Sequence, residues 1–271
     1  MTMTPEFDLR SLRGLVSTAN LTGTVHGQTS DCTLRLALCN AEHGLQVEYT
    51  VEPCQLVEAG RDAICAHALR ENYDYLLMYD GDAVFPQDAL LRLLHTAFIT
   101  HPDADVVGAY AQLKGSYIPT IDAGSGTWEP FFPGSGVVPV MRTGGHFLLV
   151  KTPILRRFGP PWFRTRHTIK PIRALAEVDN FARTKCDGEN PFAGSEDWEK
   201  LVGLARAEAG GETGVGEDSG FCDAVKAAGG TIYVNTDLVA GHLETKVIQP
   251  SDLKERLDAR DARLKLSVGI L

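Results

Sequence analysis

The segment Asp74-Tyr-Leu-Leu-Met-Tyr-Asp-Gly-Asp82 places two carboxylates, Asp80 and Asp82, one glycine apart at the end of a short apolar run, Tyr75 to Tyr79. Such a run reads as a buried strand, and ligands in open α/β sheets bind at the carboxyl ends of strands. Two hard oxygen donors there suit Mg²⁺ or Mn²⁺, most of all an ion shared with substrate phosphates. An acidic pair is equally at home as a strand end and helix cap. A second pair, Glu217-Asp218, follows the glycines Gly210, Gly211, Gly214 and Gly216 and opens a helix. Carboxylates favour a helix N-terminus, and one of these is also placed to act as a general base. His242 follows Gly241 just past a predicted strand, where it is a loop residue or a third metal ligand. Arg61, early in a predicted helix, either forks onto a phosphate or forms an exposed ion pair.

These side chains need elements to hold them. Leu21–Gln28 reads as a first strand, and a helix capped by Ser30 or Asp31 runs through Ala41 with Leu34, Ala37, Leu38 and Ala41 inward. A strand at Leu45–Val51, a helix at Val57–Leu69, the strand Tyr75–Tyr79, a helix at Asp88–His95 and a strand at Ala104–Ala111 follow. This β-α-β-α-β-α-β order predicts a largely parallel sheet. From Gln112 to Gly136 glycine, proline and aromatic residues dominate and predict loops and short strands over a site. Val137–Met141 and His146–Lys151 read as strands around Thr143-Gly-Gly145. Arg164 to Val215 reads as a long polar segment. A helix from Glu217 to about Ala228, a strand at Thr231–Asn235 and a charged C-terminal helix at Ser251–Lys265 complete the chain.

The chain has 271 residues, 44% hydrophobic and 23% charged, which suffices for a folded core. A net charge of -9 argues against wholesale polyanion binding but allows a local basic patch. The six cysteines form no CxxC pair and read as buried thiols of a reducing compartment. No run approaches the ~18 apolar residues of a membrane span, and Met1 to Arg13 has no signal-peptide pattern. A protein of the cytoplasm, or of a host's cytoplasm if viral, is expected.

The ordered set resembles the GT-A glycosyltransferases, in particular the compact bacterial and phage branch related to family 2. The residues that carry the resemblance are His26-Gly-Gln28, Arg61, Asp74 to Asp82 with Pro86, Thr143-Gly-Gly-His-Phe-Leu-Leu-Val150, Pro161-Trp-Phe163, Gly216-Glu-Asp218 with Phe221-Cys222, Gly229, and Gly241-His242. It spans about Leu21 to Leu243. It implies an α/β GT-A fold in one domain: a Rossmann-like nucleotide-sugar half at about 14–112, an acceptor half at about 113–250 and a terminal helix at 251–271. It implies a hexosyl group moved from a nucleotide sugar, a UDP-sugar, to a hydroxyl. Asp80, Asp82 and His242 would hold Mn²⁺ or Mg²⁺ on the donor diphosphate. Asp218, with Glu217 beside it, would be the base. His26, Gln28, Glu52, Arg61, Asp80 and Gly81 would hold the nucleotide, and Thr143, Gly144 and Gly145 the sugar. His26-Gly27 departs from the proline-threonine turn usual in relatives.

Lys151, Arg156, Arg157, Arg164, Arg166, Lys170 and Arg173 crowd one acid-free stretch interleaved with Trp162, Phe163 and His167. Basic residues with stacking aromatics suit a nucleic acid, the sharpest version being a DNA base carrying a hydroxymethyl group. Polysaccharide or small-molecule acceptors are the alternative. From other classes, a sugar nucleotidyltransferase would want a glycine-rich basic loop where Gly27-Gln-Thr-Ser-Asp31 stands. A non-catalytic binding module or a metal-dependent nuclease would show donor binding without turnover, or DNA cleavage without a nucleotide sugar.

Overall fold

The computed structural model describes residues 7–20, 25–54, 56–112, 119–124, 132–163 and 216–243. Expectations for 164–215 and for the helix at 251–265 lie outside the described residues. The order is β1 (Arg13–Asn20), α1 (Gly27–Glu42), β2 (Gln46–Pro53), α2 (Val57–Arg70), β3 (Tyr75–Asp80), β4 (Ala83–Val84), α3 (Ala89–His95), β5 (Val106–Tyr110) and β6 (Ile121–Asp122). It continues with β7 (Val137–Pro139), β8 (Arg142–Thr143), β9 (Phe147–Lys151), α4 (Thr152–Phe158), α5 (Glu217–Ala227), β10 (Ile232–Val239) and β11 (Gly241–His242).

Seven strands form one sheet in the order β2-β1-β3-β9-β5-β10-β7. β2, β1, β3, β5 and β10 share one direction, and β9 and β7 run against it. The fold is thus the mostly parallel α/β sheet flanked by helices that a GT-A chain is expected to have. β3 explains the architecture in miniature. Leu76 and Met78 enter a core under α2, α4 and α5, while Tyr75, Leu77 and Tyr79 enter a second core under α1 and α3. Side chains alternate across a strand, so a strand covered on both faces must be apolar throughout, as this one is.

Two expectations need correction. The first strand is Arg13–Asn20, not Leu21–Gln28, and Gly27 and Gln28 already belong to α1, which His26 caps by accepting a hydrogen bond from the Gln28 amide. The buried face of α1 is Thr29, Cys32, Leu36 and Cys39, whereas Leu34 and Leu38 are 59% and 58% exposed. Both sets recur at helical spacing, and the buried one is the face that packs with Leu12, Val16, Leu77 and Tyr79 in the core beneath α1. Among the described cysteines all are free, and Cys54 alone is only half-buried.

Candidate active site

The carboxyl ends of β1 and β3 open into a cleft of about 580 Å³. Asn20, His26, Asp80, Gly81 and Asp82 line it with Val57 and Arg61 from α2 and Glu217 and Asp218 from α5. The turn after β3 is fixed by backbone bonds, His26 N–H to the Gly81 carbonyl at 3.0 Å and Leu243 N–H to the Asp82 carbonyl at 2.9 Å. A side chain at Gly81 would meet the Asn20 side-chain amide at 2.5 Å, so Asn20 would have to turn away to admit it.

Arg61 is the hub. It is 4% exposed and lies where α2 packs tightly on β1; a side chain on neighbouring Gly60 would come within 2.8 Å of the Ala19 methyl. Its Nη2 donates to Asp80 Oδ1 at 2.8 Å, and its Nη1 donates to Glu217 Oε1 at 3.1 Å and to Asp218 Oδ1. The Phe163 ring covers it at 5.4 Å. Arg61 therefore ties the strand-end acid to the helix-start acids and is neither the exposed ion pair nor an unengaged phosphate clamp. Burial alone would weaken its charge, but Asp218, Asp80 and Glu217 more than compensate and raise its pKa. Burial pushes the Asp80 carboxyl up, and Arg61 and His146 overcome this and hold it well below the usual carboxylate range. Glu217 moves the other way: burial, then the charge of Asp218, raises its pKa.

The helix-start acids are carried into place by α5. The Arg142 guanidinium grips Asp223 through Nε at 2.7 Å and Nη2 at 3.1 Å, and the Thr143 amide meets Cys222 Sγ at 3.5 Å. The Thr143-Gly-Gly145 turn then passes beneath the helix start. A side chain on Gly145 would strike Asp218 and lie 2.6 Å from Arg61 Nη1, and one on Gly144 would lie 3.0 Å from Thr120. Thr143 itself is 1% exposed, so it supports this turn instead of facing the cleft. The Asp62 carboxylate accepts the amides of Trp162 and Phe163, each at 2.8 Å, and so seats Phe163 over Arg61.

A second group of donors sits beside Asp82. β11 pairs with β4 so that His242 faces Ala83, and the pairing of β9 with β3 sets His146 beside Asp80, whose amide donates to the His146 carbonyl at 3.0 Å. Asp82, His146 and His242 each offer one ligand atom, all within 4.8 Å of one another. The donor set, one carboxylate and two imidazoles, fits a divalent metal. The sequence reading placed Asp82 and His242 together but missed His146. The signal was Gly145-His146 just before an apolar strand, which matters only once that strand is known to lie against β3.

Other expected site residues stand further off. Gln28 is exposed in the first turn of α1, and Glu52 lies on edge strand β2 opposite Ala19; neither lines the cleft. The described part of the basic stretch also lies elsewhere. Lys151 pairs with Tyr75, at the other end of β3 from Asp80, and Arg157 reaches Asp105 ahead of β5. Trp162 and Phe163 are 5% and 2% exposed and belong to the core. Arg164, Arg166, His167, Lys170 and Arg173 lie outside the described residues. No described helix is long and apolar enough to cross a membrane.

No family model and no curated protein sequence matches the chain. Among solved structures it is similar to A197 from STIV, at a TM-score of 0.51 and 16% identity over 86% of this chain and 87% of that one. It is similar to mannose-1-phosphate geranyltransferase from Thermus thermophilus at a TM-score of 0.41 and 11% identity, over 84% of this chain and 75% of that one. Similarity to S. aureus TarS, solved with UDP-GlcNAc, has a TM-score of 0.38 and 13% identity over 90% of this chain and 64% of that one. The likeness to A197 extends over most of both chains and is a likeness of fold.

Proposed function

We propose that this chain is a metal-dependent glycosyltransferase that moves a hexosyl group from a nucleotide sugar, a UDP-sugar, to an acceptor hydroxyl. The observation that carries this reading is the cleft itself, with Asp80 and Asp82 at a strand end on one side, Glu217 and Asp218 at a helix start on the other, and Arg61 tied to both pairs. A metal held by Asp82 and His242, with Asp80 behind them, would neutralise charge on the leaving nucleoside diphosphate. In this reading Gly144 and Gly145 approach the sugar, and His26 and Gly81, which line the cleft, border the nucleotide. Glu217 or Asp218 takes the proton of the acceptor hydroxyl in a direct displacement. Burial and the charge of Asp218 raise the pKa of Glu217, the direction that favours a general base, and Asp218, in contact with Arg61, is the alternative.

Release of nucleoside diphosphate from a panel of nucleotide sugars with Mn²⁺ tests the reading. Carbohydrate acceptors and hydroxymethylcytosine-containing DNA serve as separate arms, because the described basic residues give the DNA acceptor no support of their own. Donor-dependent release is expected. Glu217→Gln or Asp218→Asn, whichever removes the base, should leave donor affinity intact and cut turnover by about 100-fold or more. Full turnover in both variants would refute the base assignment. No release from any nucleotide sugar, with DNA cleaved instead, would favour a nuclease.

A further inference from the structure

His146 is buried to 3% exposure, yet both of its ring nitrogens face polar atoms. Nε2 lies 2.8 Å from the Gly241 carbonyl and Nδ1 lies 3.2 Å from Asp80 Oδ2. A carbonyl can only accept, so Nε2 carries the hydrogen. Asp80 is ion-paired to Arg61 and is likewise an acceptor. With Nε2–H on the carbonyl, the Nδ1 position facing the acids is filled either by a second proton or by a metal ion, and Asp82 and His242 stand close enough to complete the donor set for an ion. The His242 ring lies 3.5 Å from the His146 ring, centroid to centroid, and His242 Nδ1 is 3.8 Å from Asp82 Oδ1. Two imidazoles this close share a single cation more easily than each carries its own positive charge.

We propose that Asp82, His146 and His242 together ligate one divalent first-row transition-metal ion, and that Asp80 stands outside this set as the carboxylate that ties the centre to Arg61. This deepens the glycosyltransferase reading by exchanging Asp80 for His146 among the ligands, and it changes the chemistry of the site. Three donors about 2.1 Å from one tetrahedral ion lie about 3.4 Å from one another, so the trio, now within 4.8 Å, must close by up to about 1.4 Å, which side-chain rotation can supply. Mg²⁺ demands oxygen donors, whereas two imidazoles and a carboxylate suit Mn²⁺, Fe²⁺, Co²⁺ or Zn²⁺. The Nε2–H bond to Gly241 is the kind of outer contact that fixes a ligating ring.

The test is direct binding of Mn²⁺ to the chelator-treated full chain, followed by electron paramagnetic resonance, with nitrogen couplings counted by pulsed methods. One ion per chain with two coupled histidine nitrogens is expected. Mg²⁺ should displace it only at about 100-fold excess or more. His146→Gln should leave one coupled nitrogen and weaken binding at least about tenfold, and Asp80→Asn should keep both nitrogens. A single coupled nitrogen in the unaltered chain, which does not depend on any variant folding, would overturn the proposal. So would no Mn²⁺ binding, or Mg²⁺ competing on equal terms. Mn²⁺ bound through two nitrogens without turnover of any nucleotide sugar would keep this site and sink the transferase reading. Turnover unchanged in a variant that no longer binds Mn²⁺ would keep the transferase reading and refute its metal dependence.

Discussion

At the scale of single residues the structure turns on Arg61, the cation shared by three of the cleft's carboxylates, Asp80, Glu217 and Asp218. Replacing it with methionine fills similar space but leaves Asp80, Glu217 and Asp218 facing one another without a counter-charge. Loss of one partner of a fully buried pair costs about 3–5 kcal/mol. Here the acids are 27–33% exposed, and water softens the penalty to about 2 kcal/mol. The pH dependence identifies the cause. Asp80 has a folded pKa below its unfolded value of about 3.9, so its contribution is complete above about pH 4 and is lost as pH falls further. Glu217 has a folded pKa above its unfolded value of about 4.3, so the fold binds its proton more tightly and gains stability as pH falls from neutrality towards that value. Urea unfolding should therefore show stability rising modestly from pH 7 to about 4.5 and falling below about pH 4. In Arg61→Met the acid-side fall should shrink, because nothing then holds Asp80 ionised so strongly. An unchanged profile in the variant would mean that Arg61 does not set the protonation of these acids. The sequence showed Arg61 as an early helix residue but not its three partners, because one lies 19 residues away and the others 156 and 157.

At the scale of elements, the site depends on where α5 and β9 lie. The carboxylates at the end of β3 were readable because an apolar run that stops at an acid pair marks a strand end locally. The helix at Glu217 was readable from its acidic start. His146 was not, because its position depends on β9 entering antiparallel between β3 and β5, a non-local pairing that neither periodicity nor chain order encodes. The displaced first strand is a propensity error. Leu21-Thr-Gly-Thr-Val25 carries more β-branched residues than Arg13–Asn20, but pairing with both β2 and β3 decides the strand. α5 is seated by Phe221, fully buried and stacked on Phe163 at 4.4 Å with the rings 2° apart. Phe221→Ala should cost about 3–5 kcal/mol by loss of burial and an unfilled space beside Phe163. Because Phe163 covers Arg61, the same change should loosen the cleft and weaken binding of a nucleotide sugar. Denaturant titration and donor binding on one preparation check both effects. A stability loss below about 1 kcal/mol would mean that α5 is held instead by Arg142 and Asp223.

Over the whole molecule, cleft and donor cluster join parts of the chain far apart in sequence. Asp82 comes from the first half, His146 from the approach to the reversed strand β9 and His242 from the β11 arm that closes on β4. In an unfolded chain these donors are separated by 64 and 96 residues, so a metal that needs all three binds the folded state far better than the unfolded one. Binding selective for the folded state raises stability by RT ln(1 + [L]/Kd), about 2.7 kcal/mol when the ion is at about 100 times its Kd. For a domain of this size that amounts to about 5–10 °C in Tm. Mn²⁺ should thus raise the melting temperature of the chelator-treated protein by that amount, and a chelator should reverse it. Asp82→Ala should abolish the shift while barely changing the melting point without metal, because a partly exposed side chain at a turn carries little of the core. His146→Gln should also abolish it, but with a lower starting point, because the buried ring loses its contact with the Gly241 carbonyl. Mn²⁺ leaving the melting temperature of the unaltered chain unmoved at millimolar concentration would show that the three donors do not act together. Equal shifts in the unaltered chain and Asp82→Ala would place the ion elsewhere on the protein.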